Sequence, residues 1–182
     1  MVLISSYAQE NLGYQLPPKS ILDLADFERA PAVAMDAKKQ YVLFSYRSTY
    51  KTLDDLNQTE MSLAGLRINP VTNISSTLNY VNNLKVRKFT DKDPVTVKGL
   101  PANARIAYLT WSPDETKVAF TNTTNKGVEL WVLDFATATA TKLTDAALNA
   151  NLGNPINWYR NSNGLLVRML PKNKPALIDP KN

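Results

Sequence analysis

The sequence predicts an all-β fold, and three observations carry that prediction. From Pro31 onward, short runs rich in β-branched and aromatic residues follow one another, separated by Asn, Asp, Pro and Lys. A strand, turn, strand unit recurs along the chain at regular offsets. In Val128 to Asp134 two side-chain sets alternate, Val128, Leu130 and Val132 against Glu129, Trp131 and Leu133, with the period of two that a strand imposes.

The elements follow in order. Residues 1–13 read as a leader, a possible signal-peptide remnant: Val2, Leu3 and Ile4 form an apolar patch, and Ser6 and Ala8 sit in a small-x-small cleavage pattern. That patch is shorter than the about 7–15 residues of a secretory h-region. The expectation drawn from it is an exported protein, periplasmic or secreted. Leu16-Pro17-Pro18 then introduces a short N-terminal helix over Ser20 to Phe27, with Ile21, Leu24 and Ala25 on one face and the prolines where a missing N–H does no harm.

The clearest repeat copy is Leu109-Thr110-Trp111, the turn Ser112-Pro113-Asp114-Glu115-Thr116, then Lys117 to Phe120. Pro113 presets the φ of a type I turn, and Ser112 and Asp114 can bond local backbone. An earlier copy has Val33 to Met35, a turn through Asp36 to Gln40, then Tyr41 to Phe44; Met35 and Phe44 precede Trp111 and Phe120 by 76 positions. A later copy runs Ile156 to Trp158, a turn through Arg160 to Gly164, then Leu165 to Val167; Trp158 and Val167 follow Trp111 and Phe120 by 47. Between the last two copies lie Val128 to Asp134 and, after the turn Ala136 to Ala140, Thr141 to Thr144.

Four strands per unit at this spacing predict a partial β-propeller over residues 14–170, about three blades of four-stranded antiparallel sheet, with an insertion at about 48–100. A generic antiparallel sandwich is the alternative. Closed propellers need about 4–8 blades, so the chain reads as part of a longer protein. Exposed strand edges at both ends of an open arc invite pairing with a second copy, a possible homodimer. Residues 171–182, with Pro171, Pro175 and Pro180, read as a Pro/Lys-rich connecting segment.

Composition removes many chemistries. In 182 residues and 20.3 kDa there is no cysteine and no histidine, so disulfides, thiolate zinc sites, thiol nucleophiles and imidazole bases are absent from this chain. No apolar run approaches the length of a membrane span. The net charge is +5, concentrated after Met61 with 15 Lys and Arg against 8 acids, chiefly at Lys85, Arg87, Lys88, Arg160, Arg168, Lys172, Lys174 and Lys181. Phe89, Trp158 and Tyr159 beside them sit in strand-like runs, so solvated loop charge explains the clusters better than a nucleic-acid surface does.

The order of residues Tyr14, Leu16-Pro17-Pro18, Ile21, Asp26 to Pro31, Leu43-Phe44, Arg47, Leu53, Leu56, Glu60, Leu63-Ala64-Gly65-Leu66-Arg67-Ile68, Asn73, Ser75, Val86 and Trp111-Ser112 resembles the N-terminal propeller of glutamyl endopeptidase-type serine peptidases of the prolyl oligopeptidase family. The resemblance extends from Tyr14 to about Pro175, and Leu63 to Ile68 is its most specific part. It departs at Thr49-Tyr50-Lys51, where the family tends to a Pro pair, and at Ser75-Ser76, where an Arg is missing. What it implies is a propeller covering a C-terminal α/β-hydrolase domain of the same parent chain that bears a Ser-Asp-His triad.

No catalytic or metal site is expected within the chain, no substrate-binding residue is assigned, and no cofactor is implied. None of the six glycines begins Gly-x-Ser-x-Gly. Asp54-Asp55 read as solvated turn acids, and Asp91, Asp93 and Asp114 lack a calcium-loop pattern. Met35, Phe44, Trp111, Phe120, Trp131 and Trp158 are expected in the core between blades. Arg47 and Arg67 are the two side chains suited to a bidentate contact with a substrate carboxylate, with a structural salt bridge as the plainer role. The expected function is a noncatalytic propeller fragment that gates and orients peptide substrates for the missing hydrolase domain. The alternative is a stand-alone protein- or glycan-binding propeller.

Overall fold

The computed structural model describes residues 16–173, so the expected leader 1–13 and residues 174–182 of the connecting segment lie outside the described residues. Helix α1 (Lys19–Ala25) forms with Pro18 at its N-cap and a Lys19–Asp23 ion pair of 2.9 Å one turn apart. Its apolar face is not buried: Ile21 and Leu24 remain exposed.

The first sheet begins with β1 (Ala32–Met35) and β2 (Tyr41–Tyr46). The chain then leaves the sheet for α2 (Leu53–Leu56), β3 (Met61–Leu63), β4 (Leu66–Asn69) and β5 (Ile74–Ser75), the strands forming a small sheet of their own. It returns as β6 (Asn83–Lys88) and β7 (Val95–Thr96), giving the order β1-β2-β6-β7. The insertion expected at about 48–100 therefore narrows to 47–82, because β6 and β7 complete the first blade. The central sheet, β8 (Ile106–Trp111), β9 (Lys117–Thr124), β10 (Gly127–Asp134) and β11 (Thr139–Lys142), is an uninterrupted antiparallel meander. A third sheet has two strands, β12 (Ile156–Trp158) and β13 (Leu165–Val167).

Two apolar clusters set the order of these sheets. Leu43, Leu84 and Val86 of the first sheet pack with Val118, Phe120, Trp131 and Leu133 of the central sheet. Ala119, Val128 and Leu130, on the opposite face of the central sheet, pack with Ile156, Trp158, Leu165 and Val167 of the third. The central sheet is covered on both faces, and the sheets stack in chain order as the vanes of a partial propeller. Rings extend the first contact: Phe135 stacks between Tyr41 and Trp111, with centroids 5.1 and 4.7 Å away. At the outer edges Gly99, at φ +78, lets the backbone close on Ala140; a Cβ there would stand 2.5 Å from the Ala140 carbonyl oxygen.

The hairpin turns repeat the same order. Lys38 Nζ donates to the Asp114 carbonyl at 3.1 Å, and Ala37 N–H donates to Glu115 Oε1 at 3.1 Å. The Asp114 N–H in turn donates to Ser162 Oγ at 2.9 Å. Each turn thus holds the turn of the next sheet, at sequence separations close to the repeat offsets. In β8 the register shifts between Ala107 and Thr110, with Tyr108 at φ +53. The Thr110 carbonyl beside this bulge accepts from Trp158 Nε1 at 2.9 Å.

The six expected core positions separate. Phe120 and Trp131 are buried, Trp111 and Trp158 are half-buried against the two clusters, and Phe44 is half-buried outside both. Met35 is 48% exposed, which corrects its placement in the core. The reason is positional. Phe44 and Met35 hold the places of Phe120 and Trp111 on a face that no sheet covers among the described residues. On that face Lys85 and Arg87 lie over the rings of Tyr46 and Phe44, at 5.0 and 5.7 Å.

Candidate functional site

A cleft of about 410 Å³ opens where β2 ends, where β6 and β8 begin, and where the inserted segment turns into α2. Its walls are built locally. Thr52 and Asp55 form a capping box at α2: Thr52 Oγ1 accepts from the Asp55 N–H at 3.1 Å, and the Asp55 carboxylate accepts from the Thr52 N–H at 3.2 Å. Thr49 Oγ1 donates to the Phe27 carbonyl at 2.7 Å and the Tyr50 hydroxyl to the Ala25 carbonyl at 2.8 Å, which ties the end of α1 to the rim. Asn82 Nδ2 donates to Ser48 Oγ at 2.8 Å.

The floor is a fixed polar chain. Arg105 Nη2 meets Asp55 Oδ1 at 3.0 Å, with both side chains about three-quarters buried, and its guanidinium lies 4.5 Å from the Tyr80 ring centroid. The Arg105 backbone N–H donates to Asn122 Oδ1 at 3.0 Å. Asn122 Nδ2 and Trp131 Nε1 then share Glu129 Oε2, at 3.0 and 2.9 Å, so the floor is anchored in the central sheet. Burial pushes the Tyr80 phenol above its ordinary range against the opposing pull of a Thr123 hydrogen bond and the Arg105 charge. Tyr80 is accordingly a neutral phenol at neutral pH.

The charge left over is positive. Arg105 is matched by Asp55, whereas Arg29, Arg47 and Lys51 line the same cleft and form no ion pair with the described residues; Asp54 is the other acid there. Guanidinium and ammonium groups at a recessed wall bind carboxylates. None of the hydroxyls that line the cleft, those of Ser48, Thr49, Tyr50, Thr52 and Tyr80, has an imidazole of this chain to activate it, the sequence having no histidine.

Of the two arginines singled out in the sequence, the fold brings Arg47 into the cleft and keeps Arg67 out of it. Arg67 pairs with Glu60 at 3.1 Å across the inserted hairpin, and Ser76 Oγ donates to the same carboxylate at 2.7 Å, so its role is structural. Asp54 and Asp55 part as neighbours do: Asp55 caps and pairs, and Asp54 faces the cleft. Asp91 and Asp93 lie in the β6–β7 connection and Asp114 in the β8–β9 turn; no group of three or more metal-ligating side chains forms among the described residues. Arg168 spends its guanidinium on the carbonyls of Leu152, Gly153 and Asn154. Sequence reasoning missed Arg29, Lys51, Tyr80 and Arg105. Arg105 finds its acid fifty positions earlier, and no local spacing signals that pairing.

No family model matches the chain. Two proteins named "Probable glutamyl endopeptidase, chloroplastic" do: that of Oryza sativa subsp. japonica is 32% identical over 179 residues, and that of Arabidopsis thaliana is 30% identical over 174. These matches take in 91% and 89% of this chain but 19% and 18% of the relatives. A solved TolB structure from Agrobacterium tumefaciens aligns with 77% of the chain and 61% of its own length, at 10% identity and a TM-score of 0.33. The chain spans about a fifth of the length of the relatives it matches, and it is homologous to the N-terminal region of glutamyl endopeptidase.

Proposed function

We propose that this chain is a noncatalytic propeller segment of a serine peptidase, which gates and orients acidic peptides for an α/β-hydrolase domain of the same parent protein. The observation that carries this reading is the surplus of cations, Arg29, Arg47 and Lys51, that form no ion pair with the described residues, at one recessed polar cleft whose remaining arginine is already neutralised. Homology to a protein named as a glutamyl endopeptidase supports it. The contribution to catalysis is steric and electrostatic: a rigid wall that admits extended peptides and offers their carboxylates a guanidinium, while bond cleavage belongs to groups this chain does not contain. Residence in the periplasm or outside the cell is part of the proposal. No helix among the described residues is long and apolar enough to cross a membrane.

The test is binding of a fluorescent Glu-containing peptide to the 182-residue chain, set against the same peptide with Gln. The Glu peptide binds more tightly, Arg47→Gln weakens it by about tenfold, in line with one charge-assisted contact, and no peptide bond is cleaved. Equal binding of the two peptides would overturn the role of the cleft. Turnover in a clean preparation, abolished by a serine-directed inhibitor, would overturn the noncatalytic reading.

A further inference from the structure

One wall of the cationic cleft is only lightly attached. Of residues 16–30 only Leu22 is even half-buried, and α1 has no buried side chain. A helix of seven residues does not hold its shape alone in water, so α1 forms because it is docked. Besides the partial burial of Leu22, two hydroxyls dock it among the described residues: Tyr50 donates to the Ala25 carbonyl at 2.8 Å, and Thr49 donates to the Phe27 carbonyl at 2.7 Å. Ala25 is the last residue of α1, where carbonyls lack an intrahelical donor, and the Tyr50 hydroxyl supplies one. Two residues past Phe27 the same segment delivers Arg29 to the cleft that Arg47 and Lys51 also line.

We propose that Thr49 and Tyr50 are positioning residues, whose hydroxyls latch the segment from Lys19 to Arg29 onto the rim and so hold the Arg29 guanidinium at the cleft for the carboxylate of an acidic peptide. This rests on the function proposed for the cleft and adds its regulation. Electrostatics set the sign of the coupling. With Asp55 paired to Arg105, the cations Arg29, Arg47 and Lys51 share the cleft with Asp54 as the remaining acid. In the empty cleft like charges push Arg29 outward, against two exposed hydrogen bonds that are individually weak. A bound carboxylate reverses that force. Closing the latch and binding the peptide therefore favour each other by the same factor, and the segment opens readily when the cleft is empty because little apolar surface holds it down.

The latch is read by hydrogen exchange of the full chain, which needs no ligand. Tyr50→Phe together with Thr49→Val removes both hydroxyls and keeps the shapes of the side chains. The double variant is expected to speed exchange of the α1 amides by about tenfold, while the amides of β9 and β10 keep their rates and so show the fold intact. The coupling is read with the labelled Glu peptide. The double variant loses affinity for it by no more than Arg29→Gln does, and adds no further loss in an Arg29→Gln background, as a mutant cycle requires when one side chain acts through another. In the parent the Glu peptide slows exchange of α1 and its Gln counterpart does not. Exchange of α1 indifferent to the double variant, an affinity unchanged by it, or a loss that is the same with and without Arg29 overturns the proposal. A parent that binds no Glu peptide overturns the function of the cleft instead, and the exchange comparison still decides the latch.

Discussion

Asp114 shows how one turn residue serves both its own hairpin and its neighbour. Its Oδ1 accepts from Ser112 Oγ at 2.6 Å and from the Thr116 N–H and hydroxyl at 3.2 and 3.0 Å, while its own N–H reaches Ser162. The Ser112 hydroxyl is the main cause that brings this carboxyl down from 3.8 to about 2; burial opposes it, and the Thr116 bonds add to it. A carboxyl whose folded pKa is depressed stabilises the fold above its unfolded value and loses that effect as pH falls through the folded one. Asp114→Asn is therefore expected to lower the urea midpoint at pH 7 by a modest amount, since the side chain is exposed, and the difference from the parent is expected to shrink to a small part of that by pH 2. A difference that persists unchanged at pH 2 would contradict this account. Ser112, Pro113 and Asp114 announce the turn in the sequence because all the bonds involved are local. The reach of the turn to Ser162 is legible only as a repeat offset.

At the scale of elements, the same repeat position carries different energies on different sheets. Phe120 faces the first sheet and is fully buried, whereas Met35 and Phe44 occupy the matching face of the first sheet, which nothing described covers. Phe120→Ala is expected to cost about 3–5 kcal/mol by cavity formation, and Met35→Ala less than about 1 kcal/mol, since a side chain already in solvent loses little transfer energy. Urea denaturation of the two variants checks the contrast; equal losses would mean that Met35 is packed. The hairpins were legible because strand periodicity and turn residues are short-range. Leu63 to Ile68 stands out as a hairpin whose turn residues, Ala64 at φ +47 and Gly65 at φ +85, both take the left-handed region. The membership of β6 in the first sheet was not legible. Its partner β2 lies across the whole insertion, and Lys85 and Arg87 stand where the central sheet has Trp131 and Leu133, so the segment reads as a charged cluster.

For the whole molecule, the function proposed for the cleft depends on how the sheets stack. Arg47 follows β2 in the first sheet, Arg105 precedes β8 in the central sheet, and the cleft exists because those sheets are held side by side by the Leu43, Phe120 and Trp131 cluster and by the linked turns. Repeat spacing predicted this order; the cleft itself arises from side chains that meet only after stacking, which is why Arg29, Lys51 and Tyr80 carried no signal. The most direct measurement is a nuclear Overhauser spectrum of the isotope-labelled chain. Cross-peaks are predicted between the rings of Tyr41 and Phe135 and between those of Phe135 and Trp111, together with cross-peaks from the Trp158 indole N–H to Thr110. Their absence, with Tyr41 and Trp158 instead showing contacts only within their own hairpins, would contradict the stacked arrangement.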